Sequence, residues 1–217
     1  MAGHSQSPVA HWYFDFISPF AYLQMQRLAQ LRVAEICYRP VLFAGLLKHW
    51  GQLGPAEIKP KRRFTYRYVV WCARHQGIEL RLPPAHPFNP LPVLRLSLAL
   101  ECQPEVVRGI FDFIWREGRD PNQEWPVLCE RLGLSGDEAG HQAQEEGVKD
   151  RLRESTEAAI AAGVFGVPTL RINDEVFWGA DATDMAVDYL RNPGAFENAQ
   201  MQRATDLPFA IERNRYR

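Results

Sequence analysis

The stretch Tyr13-Phe14-Asp15-Phe16-Ile17-Ser18-Pro19-Phe20-Ala21-Tyr22-Leu23 decides the fold. It opens as an apolar run with aromatic and β-branched side chains, the pattern of a buried strand. The run breaks at Ser18-Pro19 and resumes as Phe20, Leu23, Met25, Leu28 and Leu31, close to one apolar face of a helix. A strand over 10–17 and a helix over 18–32 therefore meet at Ser18. A serine hydroxyl there caps the first turn, and proline suits the first helical position because its missing N–H has no partner to lose. The same helix end carries partial positive charge, which favours an anion beside Ser18. Ordinary capping also accounts for Ser-Pro at this place.

A second stretch lies far away: Val164-Phe165-Gly166-Val167-Pro168-Thr169-Leu170. Pro168, preceded by Val and followed by the strand-like Thr169 to Ile172, is a candidate cis-proline; the plainer alternative is a proline that only begins a strand. Phe177-Trp178-Gly179-Ala180-Asp181 follows, and a last helix runs from Asp181 to Leu190.

Asp15 to Leu23, Phe165 to Thr169 and Phe177 to Asp181, in this order and at this separation, resemble the 2-hydroxychromene-2-carboxylate isomerase family. That family is similar to the kappa-class glutathione transferases and the DsbA-like oxidoreductases. The resemblance runs from about His11 to Leu190. It implies an α/β, thioredoxin-like fold carrying an inserted all-helical domain.

The order of elements agrees with that expectation. Val33 to Phe43 reads as a second strand, so the chain starts β-α-β, which calls for a parallel pair. Glycines at 45, 51 and 54 then punctuate a loop. From about Ala56 to Gly163 no period-two alternation is convincing. Helices are expected over 63–76, 94–101, 105–116, 125–132, 137–147 and 149–162, with an extended proline-rich segment over 80–92. Strands return at Thr169 to Ile172 and Val176 to Trp178 around a turn at Asn173-Asp174. The domains read as 1–55 with 164–217, and 56–163 as the helical insertion. Residues 1–8 are expected to fray, and 192–217 are polar without periodicity.

Composition sets outer limits. The 217 residues are 46% hydrophobic and 24% charged, with a net charge near −1. This is ordinary for a soluble globular protein, and nothing in it calls for nucleic acid or an anionic membrane as partner. Four cysteines, Cys37, Cys72, Cys102 and Cys129, form no C-x-x-C, which excludes a local dithiol motif; they are expected reduced and mostly buried. No signal-peptide layout or long apolar run is present, so a cytoplasmic location is expected. His75, His86 and His141 lack ligand spacing, and no metal site is proposed.

The resemblance then suggests roles. DsbA-like relatives carry cysteine at the place of Ser18, so the thiol must come from outside, and glutathione is the implied cofactor. Ser18 is the expected catalytic residue, donating a hydrogen bond to the bound thiolate and lowering its pKa. Val167 and Pro168 would pair with the cysteinyl backbone of glutathione. Ala180 and Asp181 would meet its γ-glutamyl end, Asp181 holding the ammonium while helix N–H groups take the carboxylate; capping of the last helix is the plainer role for Asp181. Lys48 would lean toward a substrate or glutathione carboxylate, or simply be a solvated loop lysine, and Gln52 stands where relatives have Asn. Phe88 and Asn89, in His86-Pro87-Phe88-Asn89-Pro90, would line the acceptor pocket near Arg95, or belong to a proline-rich linker. Ala182 replaces the Arg that commonly follows Asp181 in the family, and Trp71 stands near another place where relatives often carry Arg. Lys59, Lys61, Arg62, Arg63 and Arg67 read as a solvated helix face.

The activity implied is glutathione-dependent interconversion of 2-hydroxychromene-2-carboxylate and trans-o-hydroxybenzylidenepyruvate, a step in aromatic hydrocarbon catabolism. The partner is a small aromatic 2-oxo acid, and a homodimer is implied because relatives are often dimers. A kappa-like glutathione transferase shares the same site chemistry. A non-catalytic thioredoxin-like binding module is the third reading.

Overall fold

The computed structural model describes residues 7–208 and 210. Most of the N-terminal segment expected to fray, and the end of the polar tail, lie outside them.

A four-stranded mixed sheet forms the centre, in the order β2-β1-β3-β4. Strand β1 (Val9–Phe14) pairs in parallel with β2 (Glu35–Pro40) and antiparallel with β3 (Thr169–Ile172), which pairs antiparallel with β4 (Glu175–Trp178). Alternation along β1 sorts its side chains between two cores. Ala10, Trp12, Phe14 and Phe16 enter the large one, whereas Tyr13 joins a smaller cluster with Val41, Leu46, Val164 and Val167. Both faces of the sheet are thus covered. This is the thioredoxin-like arrangement expected, and between β2 and β3 the described chain is helical.

Helix α1 (Pro19–Met25) is shorter than the 18–32 expected. After Met25 the bonding tightens: Arg27 N–H donates to Gln24 C=O and Leu31 N–H to Leu28 C=O, with a 3₁₀ turn over Leu28–Gln30. Three residues per turn place Leu28 and Leu31 one above the other, and both are buried in the core.

Helices α2 (Phe43–Trp50) and α3 (Lys59–His75) follow, then an extended segment, α4 (Leu91–Ala99) and α5 (Pro104–Phe111). The helix expected to run to Arg116 changes to a π turn over Asp112–Arg116, closed by Glu117 N–H donating to Asp112 C=O at 2.9 Å. Three consecutive side chains of the wider turn, Phe113, Ile114 and Trp115, are buried. Helices α6 (Trp125–Arg131), α7 (Gly136–Gln144) and α8 (Glu146–Ala161) return the chain to β3.

After the hairpin come α9 (Thr183–Arg191) and, in the segment read as aperiodic, α10 (Ala199–Thr205), capped by Asn198. Phe196 anchors the connection between them, its ring centroid 5.3 Å from that of Tyr189 and 6.3 Å from that of Phe177. The apolar residues scattered through this polar run, Phe196, Met201 and Leu207 among them, keep no period that could be read in sequence. No helix among the described residues is long and apolar enough to cross a membrane.

Candidate active site

Ser18 ends the β1–α1 connection and is only 7% exposed. Its Oγ accepts from the Ala21 N–H at 3.2 Å, the cap expected from sequence. That bond uses a lone pair. The hydroxyl proton has no acceptor among the described residues, so it is free to be donated.

The hydroxyl borders an apolar cavity of about 370 Å³. Its walls come from the β1–α1 connection, from Leu42, Phe43 and Leu47 of the α2 region, from Arg62, Thr65 and Tyr66 of α3, and from His86 to Phe88. A second cavity of about 330 Å³ holds Pro168, Gly179, Ala180 and Asp181 on one side and Tyr68, Trp71 and Cys72 on the other. Phe20 and Val167 line both cavities, so the two meet at that pair.

The Val167–Pro168 peptide is cis, as its sequence setting suggests. Among the described residues neither Val167 N–H nor its C=O has a backbone partner, while Gly179 N–H donates to Pro168 C=O at 2.9 Å. That bond joins the proline stretch to the Gly179-Ala180-Asp181 stretch. Both glycines in the region are required locally. A Cβ on Gly166 would lie 2.5 Å from Trp178 Nε1, and Gly179 sits at φ +96° with the Asp181 carboxylate folded against it.

Gln24 fastens this region to α1. Fully buried, it accepts from Trp12 Nε1–H at 2.9 Å and donates through Nε2 to Gly179 C=O at 2.9 Å and Thr183 Oγ1 at 3.1 Å.

The residues expected at the site separate into two groups. Ser18 and Phe88 meet in the first cavity, Pro168, Ala180 and Asp181 in the second, and Val167 at their junction. Asp181 caps nothing: neither the 3₁₀ turn Ala180–Ala182 nor α9 has a side-chain cap, and its carboxylate is exposed. Lys48 and Gln52 do not line either cavity. Helix α2 presents Leu47 to the first cavity and leaves Lys48 exposed one residue on, and Gln52 is exposed in the loop beyond the αL residue Gly51. Asn89 also stays outside, its Oδ1 accepting from Leu91 N–H at the start of α4. Arg95 lines neither cavity, and its Nε is buried without a partner among the described residues.

Four residues given no site role in the sequence reading, Arg62, Tyr66, His86 and Asp15, line the first cavity. Arg62, taken as part of a solvated face, lines the first cavity as the sole lysine or arginine among its described residues. It donates to His86 C=O at 2.8 Å and stands 5.6 Å from the centre of the Tyr66 ring. Tyr66 Oη lies 2.6 Å from His86 Nδ1, and His86 Nε2 lies 2.7 Å from Ile17 C=O. Burial lowers the His86 pKa, and the Arg62 charge acts in the same direction against the Ile17 hydrogen bond. Asp15, 0% exposed, lines the cavity and accepts from Ile17 N–H at 3.0 Å and Phe43 N–H at 2.9 Å. Burial outweighs those two bonds and raises its pKa to about 7.

Cys102 and Cys129 are raised by burial to about 11, so neither supplies a thiolate at neutral pH. Among the described residues no group of three or more His, Cys, Asp or Glu side chains is placed to hold a metal ion.

The sheet order, the cis-proline and a serine at the first helix together define a DsbA-type thioredoxin-fold protein without the DsbA cysteine. Residues 11–191 match the family described as DSBA-like thioredoxin domain. A 2-hydroxychromene-2-carboxylate isomerase of Pseudomonas putida is 33% identical over 182 residues, 80% of this chain and 89% of that protein. The solved structure of a 2-hydroxychromene-2-carboxylate isomerase superposes with a TM-score of 0.76 at 29% identity, covering 89% of this chain and 98% of the other. Glutathione S-transferase kappa 2 of Caenorhabditis elegans is 26% identical over 208 residues, 85% of this chain and 92% of that protein. The chain belongs to the 2-hydroxychromene-2-carboxylate isomerase family and is an enzyme of the isomerase class.

Proposed function

We propose that the chain is a glutathione-dependent isomerase that interconverts 2-hydroxychromene-2-carboxylate and its trans open-chain 2-oxo acid. One observation carries the reading. Ser18 is a buried cap whose proton is uncommitted, and it faces an apolar cavity continuous with a second, more polar one.

The residues present fit the tripeptide. Val167 offers an unpaired N–H and C=O to an extended backbone, as an edge strand does. Asp181 offers an exposed carboxylate to an ammonium group one residue away along that backbone. Ser18 lines the first cavity, beside the Phe20–Val167 junction with the second, and donates to a sulfur anion, which favours the ionised form. Glutathione, when bound, supplies a thiolate whose reversible addition to a conjugated double bond leaves that bond free to rotate.

The chain's own groups do the remaining work. The apolar walls of the first cavity hold a planar aromatic ring and exclude water. Arg62 gives the substrate carboxylate a fork of donors at the cavity edge. Holding the acid in register with the sulfur converts a bimolecular encounter into a local one.

The test is incubation of the protein with trans-o-hydroxybenzylidenepyruvate, with and without glutathione. Isomerisation that needs glutathione and returns it free supports the reading. Conversion without glutathione overturns it. Accumulation of a glutathione conjugate assigns the kappa-transferase activity named in the more distant relatives. Absence of both turnover and glutathione binding leaves a binding module.

A further inference from the structure

We propose that Tyr66 and His86 form a proton relay that opens and closes the hemiketal ring of the substrate, a step separate from the thiol chemistry at Ser18. The proposal takes its substrate from the isomerase reading above. The relay itself is read from hydrogen-bond directions.

The Ile17 carbonyl can only accept, so His86 Nε2, 2.7 Å away, carries a proton. In the neutral imidazole Nδ1 is then an acceptor. Tyr66 Oη, 2.6 Å from it, must donate. Its lone pairs are left for the cavity that both residues line. Tyr66 thus presents an acceptor to any hydroxyl in the cavity, backed by a base. The imidazole is held from behind by the buried Trp115 ring, 5.2 Å between centroids, and by Phe88 at 5.8 Å. The charged and titratable groups around it are Tyr66 and Arg62 from α3, Asp15 from the end of β1 and Glu57 from the loop before α3. Burial and Arg62 both favour the neutral ring that the relay needs.

A 2-hydroxychromene-2-carboxylate bears its hydroxyl, its carboxylate and the ring oxygen on one carbon. The opening step balances within the relay. The hydroxyl proton passes to Tyr66 Oη as the Tyr66 proton passes to His86 Nδ1. The O–H pair becomes the carbonyl bond, and the bond from carbon 2 to the ring oxygen breaks with its pair going to that oxygen. The resulting phenolate takes a proton from Tyr66 as His86 Nδ1 returns its own. No net proton is gained or lost, and one dyad serves both oxygens because they begin on the same carbon. The carboxylate on that carbon is left for Arg62. Tyr66 touches the reacting oxygens and is catalytic; His86 acts through it and is a positioning and proton-storing residue.

The test leaves glutathione out. Wild-type protein, Tyr66→Phe and His86→Gln are mixed with 2-hydroxychromene-2-carboxylate and hydroxylamine, which captures the open 2-oxo acid as its oxime. Wild type should speed capture about 100-fold over buffer, and both variants should fall to within about threefold of buffer. The wild-type acceleration should decline toward acid as His86 protonates, a limb that Tyr66→Phe lacks. Tyr66→Phe keeps the ring and its packing, so it decides the matter if His86→Gln fails to fold. Capture by Tyr66→Phe as fast as by wild type overturns the relay. So does wild type that isomerises with glutathione yet never exceeds buffer in capture. Wild type inactive in both assays removes the isomerase reading, and the relay falls with it.

Discussion

Ser18 serves two partners with one oxygen. Its lone pair caps α1 and its proton remains to stabilise an anion. Ser18→Ala removes both. The cap is worth about 1 kcal/mol of stability. A hydrogen bond to a charged group is worth about 1.5–3 kcal/mol, so turnover should fall about 10- to 100-fold. The separating measurement is ultraviolet titration of the thiolate of bound glutathione. Its pKa should rise in the variant, and an unchanged titration would remove Ser18 from the mechanism. Asp15 gives a second prediction at this scale. Its folded pKa of about 7 lies above the unfolded value, so the folded state binds the proton more tightly. The resulting stabilisation is full below about pH 4 and is lost as pH rises through about 7. Measured against Asp15→Asn, wild type should lose about 2–4 kcal/mol of unfolding free energy across that window and then stay level. A difference independent of pH would show that Asp15 is ionised throughout. What could be read from sequence at this scale was what neighbours decide. Ser18-Pro19 and Val167-Pro168 announce a helix start and a turn within a few residues. Tyr66 and His86 are twenty positions apart and meet only in the folded chain. Tyr66 also occupies a helix position that fits a core pattern, which hides its hydroxyl.

Elements were legible where one pattern persists. β1 shows as a continuous apolar run, and α8 keeps a helical repeat to Gly163. The limits of α1 and the π turn were not, because a change from α to 3₁₀ or π hydrogen bonding leaves the apolar pattern almost unaltered. Gln24 shows how a polar residue can be overlooked inside such an element. It looks like the solvent side of a short helix, yet it is buried and joins Trp12, Gly179 and Thr183. Gln24→Leu would leave the Trp12 N–H buried without a partner and take from the Gly179 carbonyl one of its two donors, the Ala182 N–H at 3.2 Å remaining, costing about 1–3 kcal/mol. Because Gly179 precedes Asp181, glutathione should also bind more weakly to the variant. Calorimetric titration beside thermal melting checks both. A loss of stability with unaltered affinity would mean that Asp181 is not set by this bond.

Across the whole molecule, the site belongs to two parts of the chain at once. Its serine and proline come from the strand-bearing segments, and its tyrosine, arginine and histidine from the helical stretch between β2 and β3. Three hydrogen bonds hold that stretch against residues 16–22: Trp115 Nε1–H to Phe16 C=O at 2.8 Å, His86 Nε2–H to Ile17 C=O at 2.7 Å, and Tyr22 Oη–H to Glu79 C=O at 2.7 Å. The large core runs through both parts, joining Trp12, Phe14 and Phe16 to Val107, Phe111 and Trp115. A shared core of this kind makes separate unfolding costly, since either part alone would expose the other's apolar face. Thermal unfolding should therefore be a single transition, with tryptophan fluorescence and far-ultraviolet circular dichroism coincident. Trp115→Phe keeps most of the buried ring but strands the Phe16 carbonyl, which should cost about 1–3 kcal/mol and lower the one transition without dividing it. The same change loosens the wall behind His86, so activity should fall at temperatures where the variant is still folded. Two resolved transitions in wild type would show instead that the parts fold independently and that the cavity is assembled only when they dock.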